Sequence, residues 1–464
     1  MSGEIPVHFI SDSFFNFKEE VHMEMTNKPI KQLFFKYLIA AFGSALVGAV
    51  YTLVDMAVIG QYAGPTGTAA IALVMPVWSF ICSLGILTGI GGSVLYSNAK
   101  GESGDKKANA MFTASMIATT AIALIVWMLM IFFDKQLLQF LGSEGELMEI
   151  GLEYLKPLKA AIPVFIFGQM LAAFLRNDND PGLATFAVVF TSILNVAGDY
   201  VLAFTFDMGV YGAALATALS NLLSVCIMLT HFLKKKNTLR LVRPERLIHT
   251  CVRIFVIGFS VFFVDLAMGI MTMLYNKRIL QLLNNDALSV FGAIASLTTV
   301  VQCCSYSIGQ AAQPILSANF GARKMDRVRH VLKYGIVTSV LFGAFWMIVT
   351  MLLPSTIIQL FMDATESVLA IAPAILRKYG IGYLFAPFTL FATYYFQSIL
   401  KARISLGISL SRGLVIGCIM LYLLPAVFGA DSLWFAMPVA EISVAAVTAV
   451  LMWRFTKMLE KESV

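Results

Sequence analysis

Residues 33–60 read LFFKYLIAAFGSALVGAVYTLVDMAVIG. Lys36 and Asp55 are the only charged side chains in that stretch. About 20 consecutive apolar residues suffice to cross the hydrocarbon core of a bilayer, so the stretch predicts a membrane-spanning helix. Asp55 is the informative exception. A carboxylate at bilayer depth costs about 3 kcal/mol on insertion scales. Such a group faces a protein interior or a water-filled path and carries ions, protons or substrate. Asp199 has the same setting in TSILNVAGDYVLAF, residues 191–204. Both acids are read as lying near the centre of their apolar runs.

Similar runs recur as far as Phe455, and the composition agrees: 59% of residues are hydrophobic and 13% charged. That charged fraction is about half the roughly 25% of a soluble domain. A β-barrel would instead alternate over runs of about ten residues. The fold class is therefore all-α and polytopic in the membrane. The twelve expected spans are 33–60, 69–97, 110–133, 155–175, 183–206, 209–233, 254–280, 287–318, 330–353, 372–399, 404–428 and 432–456. The first 30 residues are polar and mixed in charge and lack the pattern of a cleavable signal. Met23 and Met25 are alternative starts.

Basic residues set the expected orientation. An even number of spans puts both termini on one side, together with the loops after spans 2, 4, 6, 8 and 10. That side collects 26 of the 33 Lys and Arg, the opposite side seven. Both termini are thus expected in the cytoplasm, with the chain in the inner (plasma) membrane. The net charge of +6 is then a topology signal and gives no reason to expect a nucleic-acid partner. The runs Lys234–Lys236 and Arg323–Arg329 would attract anionic lipid headgroups.

The basic connection 234–253 divides the chain. The expected organisation is an N-terminal tail 1–30, a six-helix lobe 31–233, the linker, a second six-helix lobe 254–457 and a tail 458–464. A shift of about 220 residues pairs Gly89 with Gly309, Ser97 with Ser317 and Gly101 with Gly321. Two lobes with the same even number of spans insert in the same orientation. They are then related by a pseudo-twofold axis along the membrane normal, as in transporters that rock to alternate access to a central cavity.

Asn195 and Asp199 are four residues apart, on one helix face, and Thr217 lies on the next span. Asp55, Asp199, an amide and a hydroxyl offer oxygen ligands to a hard cation such as Na⁺. Two close carboxylates also repel, so one can load and release a proton. Residue types do not choose between H⁺ and Na⁺. The second lobe has Tyr275 at the position about 220 after Asp55. Its own candidates are Asp265, Glu441, Gln302 and Gln310. The six Cys lack metal-ligand spacing and are read as buried apolar residues. None of the five His lies mid-membrane, so a proton relay would use carboxylates. No constellation of catalytic residues or cofactor motif stands out, and neither an enzyme nor a cofactor is expected.

The segments VDMAVIGQYAG, NVAGDYVLAF followed by GVYGAALAT, and IGQAAQPILSANFGARKMDRV together resemble the multidrug and toxic compound extrusion (MATE) family over about residues 30–457. The last segment is similar to the bacterial branch that includes the MepA-type pumps. The resemblance implies two six-helix lobes in a V. It also implies export of cationic amphipathic compounds in exchange for inward H⁺ or Na⁺, and a monomer is expected. It assigns Asp55, Asn195, Asp199 and Thr217 to an N-lobe cation site, where the two aspartates would be the metal ligands under Na⁺ coupling. Relatives with acids on helices 7 and 10 are matched less well, because the tenth span has none. The alternative is a flippase for lipid-linked saccharides or other anionic amphiphiles. Such a cavity needs inward-facing basic groups for phosphate, and Lys156, Lys159, Arg377 and Lys378 are the ones to follow.

Overall fold

The computed structural model describes residues 25–141, 143–361 and 365–461. The expected tail up to residue 24, with Met23, and the last three residues lie outside them. The described residues form helices and turns and no strand. Among the described residues twelve helices are long and apolar enough to cross a membrane, which makes the chain an integral membrane protein. In lipid a helix satisfies its own backbone polar groups, which an open strand cannot do.

The helices are numbered by span. The helical stretch Ile30–Ser103 is two helices, α1 (30–63) and α2 (65–103), broken at Gly64 with φ 63° and ψ −158°. Glycine accepts that conformation without steric cost. Next come α3 (Asp105–Phe140), α4 (Gly145–Asn177), α5 (Pro181–Tyr200) and α6 (Gly209–Leu229). The second lobe holds α7 (Leu247–Leu282), α8 (Asn285–Gly321), α9 (Met325–Leu352), α10 (Glu366–Ser398), α11 (Ala402–Phe428) and α12 (Ala436–Lys461).

Three local features depart from the hydropathy reading. α7 starts at Leu247, so the last residues of the expected linker are already helical. A short helix, Pro354–Phe361, joins α9 to α10. α10 is broken by a 3₁₀ turn at Ile381–Leu384, and its second part restarts with Pro387 in the first turn. Proline lacks the N–H but suits a first turn.

Each lobe has its own apolar core. Ile59, Ile71, Ile162, Ile166 and Ala213 centre the first; Ile294, Leu297, Leu376, Leu421 and Trp434 centre the second. A third cluster joins Phe34 and Tyr37 of α1 to Ile308, Ile315, Phe391 and Phe396 of the second lobe. The lobes also meet along α2, where it crosses α7 and α8 at glycines. A Cβ on Gly258 would stand 1.9 Å from the Leu87 carbonyl oxygen, and one on Gly321 2.2 Å from that of Asn98. Gly91 and Gly101 are as tight, 2.1 Å from the Ile254 oxygen and 2.5 Å from the Ala318 oxygen. Small residues let helix backbones approach this closely. The outer faces of α3 and α9 carry exposed Ile125, Met128, Phe132, Leu341 and Phe345, as lipid-facing surfaces do.

Candidate functional site

α1, α4, α5 and α6 bring together the first-lobe residues singled out by the sequence. Asp55 is 3% exposed, Asn195 2%, Asp199 0% and Thr217 4%. The Asn195 amide donates from Nδ2 to Asp199 Oδ1 and to Thr217 Oγ1, both at 3.1 Å. Asp55 Oδ2 accepts from the Tyr154 hydroxyl of α4 at 3.0 Å. Asp55 and Asp199 are close enough for their charges to repel. Asp55 Oδ1, Asn195 Oδ1 and Asp199 Oδ2 are buried with no hydrogen-bond partner among the described residues. Buried polar oxygens are normally paired. Three unpaired acceptors, two of them carboxylate, fit a proton or a hard cation held by oxygen.

Both acids lie nearer one end of the fold than the centres of their apolar runs suggested. Asp55 is nine residues before the break at Gly64, about 14 Å at 1.5 Å per residue. Asp199 is followed by one turn of π-helix, Val201–Thr205. The helices extend further toward the opposite end, where the α6–α7 linker runs, and this displaces the acids from their midpoints. Such π-turns occur often at functional positions. α11 has its own at Ser411–Val415.

The second-lobe candidates divide between two hydrogen-bonded groups. Asp265 accepts from Tyr306 on α8 and from Ser83 on α2 at 3.2 Å, so its carboxylate bridges the lobes. Gln302 donates to the same Tyr306 hydroxyl at 3.0 Å. Glu441 is held by Arg412 Nε on Oε1 and Thr389 Oγ1 at 2.8 Å on Oε2, and it lines one cavity with Gln302. Gln310 is half-buried and two turns from Gln302 along α8, about 12 Å.

Arg412 is the residue that sequence reasoning missed. The charge count places it with the basic residues of the loop after span 10, yet it lies inside α11 and is 8% exposed. The available signal was its place eight residues into the run 404–428, opposite a second run that carries Glu441. The other basic groups considered for a phosphate are largely occupied. Lys159 pairs with Asp134, Lys378 with Asp431, and Arg377 donates to the Met351 carbonyl at 3.1 Å.

At the linker end, His231 is wholly buried between Asp178 and Asp180. Its Nε2 is 2.8 Å from Asp178 and its Nδ1 3.0 Å from Asp180. Lys100 reaches Asp178 at 3.1 Å, while Lys234 and Lys236 reach Asp180 at 2.9 and 2.7 Å. Two of the three lysines read as lipid-attracting thus hold the linker to the first lobe. Burial by itself would raise both aspartates, but their cationic and hydroxyl neighbours hold them well below the usual carboxylate range.

The MatE family model matches residues 40–201 and 257–423, one stretch in each lobe. The chain belongs to the MatE family. Its curated relatives include proteins named Multidrug export protein MepA. The one from Staphylococcus saprophyticus is 26% identical over 417 residues, covering 88% of this chain and 90% of that protein. The one from Staphylococcus aureus strain N315 is 24% identical over 444 residues, covering 94% and 96%. Among solved structures, a MATE crystal structure in complex with MaL6 superposes with a TM-score of 0.87 at 22% identity, covering 95% of this chain and 99% of that one. An outward-facing MATE transporter of the MOP superfamily gives 0.87 and 22%, covering 95% and 98%. At that identity the likeness concerns the fold. The MatE fold and the MepA-like branch agree with the sequence reading.

Proposed function

We propose that this chain exports cationic amphipathic compounds across the inner (plasma) membrane, with both termini in the cytoplasm, in exchange for inward H⁺ or Na⁺. The observation that carries the reading is the set of unpartnered buried oxygens on Asp55, Asn195 and Asp199. A site with two neighbouring carboxylates changes energy strongly when a cation enters, and that energy can bias a conformational equilibrium. The MepA relatives are named for multidrug export, which supports the drug-export part of the reading.

The two lobes would rock about the glycine seam. In this reading the linker end is the closed one, held by that seam and by a reciprocal amide pair. Asn177 donates to Gln313 at 3.2 Å and Gln313 to Asn177 at 3.1 Å. The acidic site lies in the other half and would face outward in this state. Asp55, Asn195, Asp199 and Thr217 would hold the incoming ion, with Tyr154 orienting Asp55. Ion entry removes the repulsion between the carboxylates and disfavours the outward-facing, drug-loaded state. Exchange then requires only that ion and drug prefer different states.

Charge-neutral variants test this. Asp55→Asn and Asp199→Asn should each lower efflux of a cationic dye from cells by about tenfold or more, the effect of losing a charge-assisted interaction. Surface expression and melting temperature should stay near the parent's. Normal efflux by both variants would refute the mechanism.

A further inference from the structure

The second lobe holds a cavity that the coupling mechanism does not use. The space it offers to the centres of water-sized guests is about 80 Å³, several times the roughly 10–15 Å³ that one water needs. Its walls come from α7, α8, α10, α11 and α12 and are aromatic and thioether: Tyr275, Phe291, Tyr379, Met268 and Met271 are among them. Tyr275 and Phe291 stack at 4.9 Å, leaving a flat apolar surface. Such walls accept planar apolar guests and adjust to their shape.

Arg412 and Glu441 both line this cavity, but they present themselves differently. Glu441 is fully buried, and its two oxygens are engaged by Arg412 Nε and Thr389 Oγ1. Nε is the only guanidinium atom of Arg412 with a hydrogen bond among the described residues. Its two terminal nitrogens carry four further N–H donors in a planar fork, a geometry that matches a carboxylate. The residue is more than nine-tenths buried, so these donors are withdrawn from bulk water. An arginine kept at this depth is expensive unless its donors are used.

We propose that the second-lobe cavity binds planar aromatic compounds bearing a single carboxylate. The carboxylate meets the Arg412 fork, and the ring lies among Tyr275, Phe291 and the methionines. A phosphate dianion is disfavoured, because it would place a second negative charge beside Glu441. The first lobe offers carboxylates to a cation, whereas this cavity offers a guanidinium to an anion. The proposal goes beyond the export reading and does not depend on it, since it concerns equilibrium binding without any ion gradient.

The test measures equilibrium binding of 2-naphthoate, its methyl ester and 2-naphthylmethylamine to the purified full chain in detergent, with micelle partition subtracted. Three forms are compared: the parent, the Arg412→Gln/Glu441→Gln double variant and Ala295→Phe. The double variant removes both charges together, so no uncompensated charge is left to unfold the lobe. Ala295 lines the cavity, and phenylalanine there takes up part of its space while keeping both charged residues. Gel filtration and melting temperature show that each variant is folded. The parent should bind the carboxylate at least about tenfold more tightly than the ester or the amine, as expected for a charge-assisted bond. That preference should vanish in the double variant, and Ala295→Phe should weaken all three compounds. Equal binding of acid and ester by the parent, a preference that survives in the double variant, tighter binding of the amine, or no binding at all would each overturn the proposal.

Discussion

Asp55 and Asp199 are held unequally. Among the described residues Asp55 has one donor, the Tyr154 hydroxyl, and Asp199 has the Asn195 amide one turn away. Tyr154→Phe removes a hydrogen bond to a charged group but leaves the carboxylate in place. It should slow efflux about tenfold and not abolish it, read as initial rates of dye loss. The linker-end cluster makes a separate prediction. Lys100→Met leaves Asp178 with only His231 and the hydroxyls of Tyr96 and Thr238 around it, and breaking a buried pair should cost about 3 kcal/mol, seen as a lower melting temperature. The cluster also sets an acid limit. Asp178 and Asp180 are held below their unfolded values, so their contribution is complete above the unfolded carboxylate range, about pH 4. It is lost as the pH falls through that range toward the folded values. The melting temperature should therefore fall as the pH drops below about 4; a flat profile from about pH 5 down to about pH 3 would contradict this assignment.

At the scale of helices, close backbone approach joins the lobes more than charge does. A side chain at Gly321 meets the backbone oxygen of Asn98, which cannot swing aside as a flexible side chain could. Gly321→Leu should therefore part α2 from α8. A cysteine at Ser97, 2% exposed in the parent, should then react severalfold faster with a maleimide, the six native cysteines having been replaced. Unchanged reactivity would mean that the seam accommodates the side chain elsewhere. Gly101 and Gly321 were legible as a repeated pair in the sequence, but their packing against each other's helices was not, because periodicity within a helix says nothing about its neighbour. The 3₁₀ break in α10 and the π-turns in α5 and α11 were equally hidden. Hydropathy registers how apolar a segment is, and these features change only which backbone partner each N–H finds.

At the scale of the molecule, the twelve spans and the duplicated plan could be read from the chain, since both follow from lengths of apolar sequence and from glycine spacing. The first-lobe cluster was legible in part. Asn195 and Asp199 share a face by their spacing, and Thr217 follows on the adjacent helix, but Tyr154 comes from α4 and only the packing brings it to Asp55. Arg412 was hidden because a single basic residue near the start of an apolar run reads as a loop charge. The partners of Asp265 and Glu441 were hidden as well: two acids on different helices of one lobe need not bond each other, and here one bridges to α2 while the other pairs with Arg412. The central claim is that the Asp55 and Asp199 site couples ion entry to export. Its most direct test is efflux of an ethidium-like cation from proteoliposomes containing the purified protein, with an H⁺ gradient and a Na⁺ gradient imposed separately. The account predicts dye movement against its own gradient under at least one of them, and none with Asp55→Asn. Equal movement by Asp55→Asn, or none by folded parent protein under either gradient, would contradict it.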